Sequence, residues 1–237
     1  MSFIISVYTH EGIVMAADSR LTLNAKVPQG AIQKEISFEF SNSTSKLFCT
    51  KKRVGISTCG DAGIGSTPIA GYIEQFASDN QEEDVDGLAP KLLAHFRRLG
   101  PNLNTTFHVA GYTAEGKQKL YLVSTADNVS KQVNPDGLQG AQWAGEVDIL
   151  TRIVNAGWLS DDKGNPGQKL PVYPIPWEFF SLQDAIDFAT FAMKATIGAI
   201  RFQNRIKTVG GPIDILVIKP EGASWVQRKE LHGEMPA

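Results

Sequence analysis

A serine stands at position 2, directly behind the initiator methionine. Removal of Met1, expected when the next side chain is small, would leave a hydroxyl nucleophile and a free α-amine on one residue. An α-amine of ordinary pKa, about 7.7–8.0, is partly neutral near pH 7 and can take the hydroxyl proton, usually through a water. No histidine, metal or cofactor is needed for that step. Two further groups are: a positive charge that keeps the amine pKa low, and an N–H that receives the oxyanion formed on the attacked carbonyl. Lys46, on a predicted strand, and the backbone N–H of Gly60, at a predicted strand-to-helix switch, are candidates for these parts. A helix opening beyond Gly60 would add positive potential at the same place.

Other chemistries fit the residue pattern poorly. The run Gly60-Asp61-Ala62-Gly63-Ile64-Gly65 follows a predicted strand, yet it has neither the GxGxxG nor the GxxxxGK[ST] spacing of a phosphate-binding loop. His10, His95, His108 and His232 share no metal-ligand spacing and read as structural or surface residues. Cys49 and Cys59 are too few for a disulfide framework and form no CxxC pair, so both are expected to be structural. Trp143, Trp158 and Trp177 read as packing or interface residues.

Composition narrows the partners. A net charge of -2 without basic runs argues against nucleic acid and anionic membranes. The apolar runs fall short of the roughly 20 residues of a membrane helix, and the N-terminus lacks a signal-like charged and apolar pattern. A cytoplasmic location is therefore expected. With 237 residues, 42% of them hydrophobic, and no repeat or dividing linker, the whole of 1–237 reads as a single domain.

The elements that must position Ser2, Lys46 and Gly60 follow from periodicity. Residues 3–8 and 12–17 are β-rich runs flanking a polar tip, a hairpin that begins one residue after Ser2. The stretch 21–45 is polar and without clear period, and reads as an irregular excursion before strands at 46–50 and 53–59. A helix is expected from Asp61 onward, a second over 86–99 with Gly100 as its stop, then strands at 105–112 and 119–125. Further helices are predicted at 145–156 and, from the Ser181-x-x-Asp184 cap, at 181–201, around a Pro- and Gly-rich insertion at 161–176. Strands at 213–218 and 224–229 close the chain. Strands and helices thus come in blocks, which favours an α+β arrangement of antiparallel sheets over a doubly wound parallel one.

Read from Ser2, the stretch SFIISVYTHEGIVMAADSR resembles the start of mature proteasome β-type subunits, including the Ala-Ala-Asp-Ser-Arg that ends the first hairpin. Sixteen positions separate Ser2 from Asp18 and fourteen separate Lys46 from Gly60, the spacings of that family's nucleophile and aspartate, and of its lysine and oxyanion glycine. SKLFCTKKRVGISTCGDAG and VGGPIDILVI are similar to the family's lysine strand with its glycine turn and to its penultimate strand. Residues 80–180 agree mainly in the order of elements. The resemblance implies the four-layer αββα sandwich of N-terminal nucleophile hydrolases and a peptide-bond hydrolase acting on peptides or unfolded protein. It also implies a homo-oligomeric ring, with an ATPase unfoldase as partner. It makes Ser2 the nucleophile, Lys46 the tuning charge, Asp18 the carboxylate that orients Lys46, and Gly60 the oxyanion donor. Thr58 and Ala62, flanking the glycine turn, are expected to line the pocket for the residue before the scissile bond.

The chain also departs from that pattern. The family's aspartate and serine before the glycine pair are replaced by Arg205-Ile206-Lys207-Thr208-Val209 ahead of Gly210-Gly211, and no Gly-Ser-Gly turn occurs, Gly140-Ala141-Gln142 being the nearest stretch. Serine stands where the family mostly has a threonine nucleophile, the family's usual cleavable propeptide is not expected here, and the segment between Arg20 and Lys46 is longer. Two alternatives stand beside the peptidase: a catalytically inactive ring or scaffold subunit, and a small-molecule amidohydrolase on the same fold.

Overall fold

A computed structural model describes residues 2–29, 32–155 and 157–231 of the chain. Met1 and His232 lie outside the described residues. In chain order come β1 (Phe3–Thr9), β2 (Gly12–Ala17), β3 (Leu21–Gln29), β4 (Ile32–Ser41), β5 (Leu47–Cys49), β6 (Gly55–Gly60), and the two-residue strands β7 (Gly63–Ile64) and β8 (Thr67–Pro68). Helices α1 (Ile69–Asp79) and α2 (Val85–Leu99) lead to β9 (Thr105–Tyr112), β10 (Gln118–Ser124), β11 (Val129–Gln132) and β12 (Gly140–Gly145). After α3 (Asp148–Val154) come the short hairpin β13 (Trp158–Ser160) and β14 (Pro166–Lys169), the long α4 (Leu182–Phe202), β15 (Asp214–Ile218) and β16 (Ala223–Gln227).

Two five-stranded sheets dominate, in the orders β12-β1-β2-β15-β16 and β11-β10-β9-β6-β5, with every pairing antiparallel. All residues of β1 and β2 are buried because both faces of their sheet are covered. Alternation along β1 sorts the side chains: Phe3, Ile5 and Val7 join Ala185, Ala189 and Met193 of α4, whereas Ile4 and Tyr8 meet Leu47, Ala110 and Leu120 of the other sheet. On that second sheet Ile56, Phe107 and Val109 pack against Ile73, Leu88, Leu92 and Phe96 of α1 and α2. Each such side chain contributes about 1.5–3 kcal/mol by leaving water.

Helix starts follow from local chemistry. Asp84 caps α2 by accepting the N–H groups of Asp86 and Gly87, and Ser181 with Asp184 forms the capping box that opens α4. The helix expected from Asp61 is corrected: α1 opens only at Ile69, behind Pro68. Gly63 falls in a tight β7–β8 ladder and Gly65 in the turn that joins its strands, so Gly60 does not run straight into a helix. The excursion expected over 21–45 is likewise corrected to the β3–β4 ribbon, paired from Leu21↔Ser41 to Gln29↔Ile32. Leu21, Leu23, Ala25, Val27 and then Ile36, Phe38, Phe40 alternate with polar residues, the period of a strand, and Pro28 near the end of β3 is tolerated in a two-stranded ribbon with open edges. The helix expected over 145–156 shortens to α3, because Gly145, at φ +94°, ends a strand. Strands β11 and β12 were not expected at all. No helix among the described residues is long and apolar enough to cross a membrane.

Candidate active site

Ser2 leads into β1 and is buried, with its carbonyl accepting the Glu146 N–H at 2.8 Å. The next N–H, of Phe3, donates to Asp18 Oδ1 at 3.1 Å. Asp18 follows the last residue of β2, so the hairpin brings it back beside the first residues of the chain: Ile4 faces Ala17 across the ladder. Its carboxylate has no exposure and accepts four donors. Phe3 N–H and Lys46 Nζ, the latter at 2.8 Å, meet Oδ1, while the N–H groups of Arg20 and Gly210, each at 3.1 Å, meet Oδ2. One carboxylate therefore fastens the start of β1, the end of β2, the strand entry at β5 and the loop before β15.

Lys46 is buried directly before β5. Burial pulls its pKa below the ordinary lysine value, and the Asp18 carboxylate pushes back by charge and hydrogen bond. A second buried pair, Asp214 with Lys229, lies close enough for the Lys229 charge to lower Lys46 further. A buried lysine with a lowered pKa, paired with Asp18, thus stands beside the head of β1.

Gly60 ends β6 with φ +117°, and a Cβ there would lie 2.3 Å from the Asn104 carbonyl oxygen, so no other residue fits without moving the backbone. The turn is pinned on that side: Asp61 N–H donates to Asn104 O at 2.9 Å and the Asp61 carboxylate accepts Asn104 N–H at 2.7 Å. Although α1 does not continue the strand, its first N–H, of Ile69, donates to Ala62 O at 3.0 Å and so holds the helix start against the turn.

Ser2, Lys46, Thr58, Gly60 and Ala62 line one pocket, with Asp18 beneath Lys46 and out of the lining. The six residues that the sequence and its family resemblance single out are thus brought together. Thr58 is buried, donates its N–H to Lys46 O at 3.0 Å, and its hydroxyl has no partner among the described residues. Cys59 lines the pocket as well, but burial pushes its thiol up to about 12, which leaves it a neutral thiol rather than a nucleophilic thiolate.

Three contributors escaped sequence reasoning. Arg20 forms part of the pocket wall and joins the β3–β4 ribbon to the loop before β15, through Glu39 at 3.1 Å, Asn42 Oδ1 at 2.9 Å and Lys207 O at 3.2 Å. Gly210 supplies an N–H to Asp18; only the glycine pair itself hinted at it. Glu146 reaches Ser2 through the pairing of β12 with β1, where Phe3 faces Gly145, the opposite end of β12 from Gly140-Ala141-Gln142. No family model matches the chain, and no curated protein matches it.

Proposed function

We propose that the chain is an N-terminal nucleophile peptidase of the proteasome β type, a single domain that hydrolyses peptide bonds with Ser2 once Met1 is removed. The observation that carries the reading is the shared pocket of Ser2, Lys46 and Gly60, with Lys46 held from behind by Asp18. Two antiparallel sheets packed on each other, with α4 against one and α1 and α2 against the other, fit the four-layer αββα sandwich of such enzymes.

In this reading the neutral Ser2 amine takes the hydroxyl proton as Oγ bonds to the substrate carbonyl carbon. The carbonyl π electrons move to oxygen, where the Gly60 N–H receives the negative charge. The tetrahedral species collapses, the C–N bond breaks, and the α-ammonium returns the proton to the leaving amine. A water then cleaves the Ser2 ester by the same route and restores the free hydroxyl. Lys46 keeps the amine from holding its proton too tightly, and Asp18 keeps Lys46 charged in a buried place.

Peptide or unfolded protein is the proposed substrate, a homo-oligomeric ring in the cytoplasm the proposed setting, and an ATPase unfoldase the proposed partner. The scaffold reading draws on one observation, the absence of aspartate and serine from Arg205-Ile206-Lys207-Thr208-Val209. Ser2→Ala separates the two. Loss of peptide turnover with circular dichroism and oligomeric state unchanged supports the peptidase; turnover that persists in the variant contradicts it.

A further inference from the structure

Ser2 is held on its far side by a residue that the chemistry above does not use. Gly145 ends β12 at φ +94°, and a Cβ there would come within 1.8 Å of the Ser2 carbonyl oxygen. Only a glycine lets β12 pass that close, and the turn aims the next N–H, of Glu146, at the same oxygen at 2.8 Å. The Glu146 carboxylate is buried and points to a different segment. Oε1 accepts the Thr208 hydroxyl at 2.6 Å, and Oε2 accepts from Arg205 at 3.3 Å, while Arg205 also reaches Asp148 Oδ1 at 3.2 Å.

Thr208 stands two residues before Gly210, whose N–H meets Asp18. The contacts therefore close into a ring: Ser2 to Glu146 through the backbone, Glu146 to Thr208 through side chains, the 208–210 chain to Asp18, and Asp18 back to Phe3 N–H. A buried carboxylate costs desolvation that an apolar residue of like size would avoid. Here it joins the two segments between which Ser2 is set.

We propose that Glu146, through the Thr208 hydroxyl, is a positioning residue that fixes Ser2 in register with the Asp18–Lys46 pair. The inference rests on Ser2 being the nucleophile. It requires that loosening the Glu146–Thr208 contact slow the chemical step while leaving substrate binding intact, since a displacement of about 1 Å in a reacting group can cost up to about 100-fold in rate.

Saturation kinetics with a peptide epoxyketone read the two apart, as a maximal labelling rate and a half-saturating concentration. Thr208→Val removes the hydroxyl at nearly constant shape, Thr208→Ser restores it, and Glu146→Gln keeps an acceptor for Thr208 while removing the charge that faces Arg205. Thr208→Val is expected to lower the maximal rate by about 10- to 100-fold with the half-saturating concentration within about twofold of wild type, Thr208→Ser to recover most of the rate, and Glu146→Gln to fall between. A wild-type labelling rate in Thr208→Val would overturn the inference, and Thr208→Ala, which also removes the hydroxyl, decides if Thr208→Val does not fold. A wild-type protein that takes no label at Ser2 would instead overturn the peptidase reading, and this inference with it.

Discussion

Lys46 Nζ lies 2.8 Å from Asp18 Oδ1, with the two side chains only 6% and 0% exposed. Neither charge has water to fall back on, so each depends on the other. Lys46→Met leaves a carboxylate that still accepts three backbone N–H groups but has lost its counter-charge. Breaking such a buried pair from one side costs about 3–5 kcal/mol. Urea unfolding is expected to show that loss for Lys46→Met and a smaller one for the double variant Lys46→Met with Asp18→Asn. A loss in the double variant equal to the sum of the losses in Lys46→Met and Asp18→Asn alone would mean that the pair is not coupled.

At Gly60 the backbone itself is the constraint. Gly60→Ala must leave φ +117° or push its methyl into Asn104 O, and is expected to lose about 1–3 kcal/mol of stability together with labelling at Ser2. Gly65 is the control: its φ is +59°, but a Cβ there meets nothing within 4 Å. Gly65→Ala should cost about 1 kcal/mol and leave labelling near wild type, as read by thermal unfolding and mass spectrometry.

The two outcomes at Gly60 and at Glu146 show what sequence can and cannot carry. Ser2, Lys46 and Gly60 were singled out by residue chemistry and Asp18 by the family resemblance, and their spacings carry over into space because each pair sits on one hairpin or on neighbouring strands. The Ser181–Asp184 box was legible because a cap is a contact between near neighbours. Glu146 was not, since it meets Ser2 only through the pairing of β12 with β1, and nothing local announces which strand β12 will join. The β3–β4 ribbon failed for another reason. Its alternation of apolar and polar residues is present, but the polar content of 21–45 as a whole and Pro28 outweighed that period in a reading by composition.

His108 should make the fold acid-sensitive. It is fully buried between the sheets with Ser6 Oγ 3.0 Å from Nδ1, and burial pushes its pKa down to about 3. In the unfolded chain it protonates near 6.5, so between pH 6.5 and 3 the unfolded state binds the extra proton and stability falls with pH, by up to about 1.4 kcal/mol per unit from this residue. Urea midpoints for wild type should decline from pH 7 to pH 5, and His108→Asn should flatten that decline. A decline of the same slope in the variant would assign it to other groups.

Thr58 carries a buried hydroxyl with no partner among the described residues. Thr58→Val replaces it with a methyl of the same shape, so stability should hold within about 1 kcal/mol or rise. Because Thr58 lines the pocket, the same change should shift preference toward apolar side chains at the residue before the scissile bond. A panel of fluorogenic peptides differing at that residue reads the shift; an unchanged ranking would place Thr58 outside the specificity pocket.

In the proposed reaction Ser2 carries both nucleophile and base. Intact-protein mass spectrometry of the native protein, before and after a peptide epoxyketone that reacts with a hydroxyl and a free amine together, tests it most directly. The expected result is a starting mass lacking one methionine and an adduct that maps to Ser2. A retained Met1 with no adduct would contradict it, and would leave the Asp18–Lys46 pair as a structural device in a chain without this chemistry.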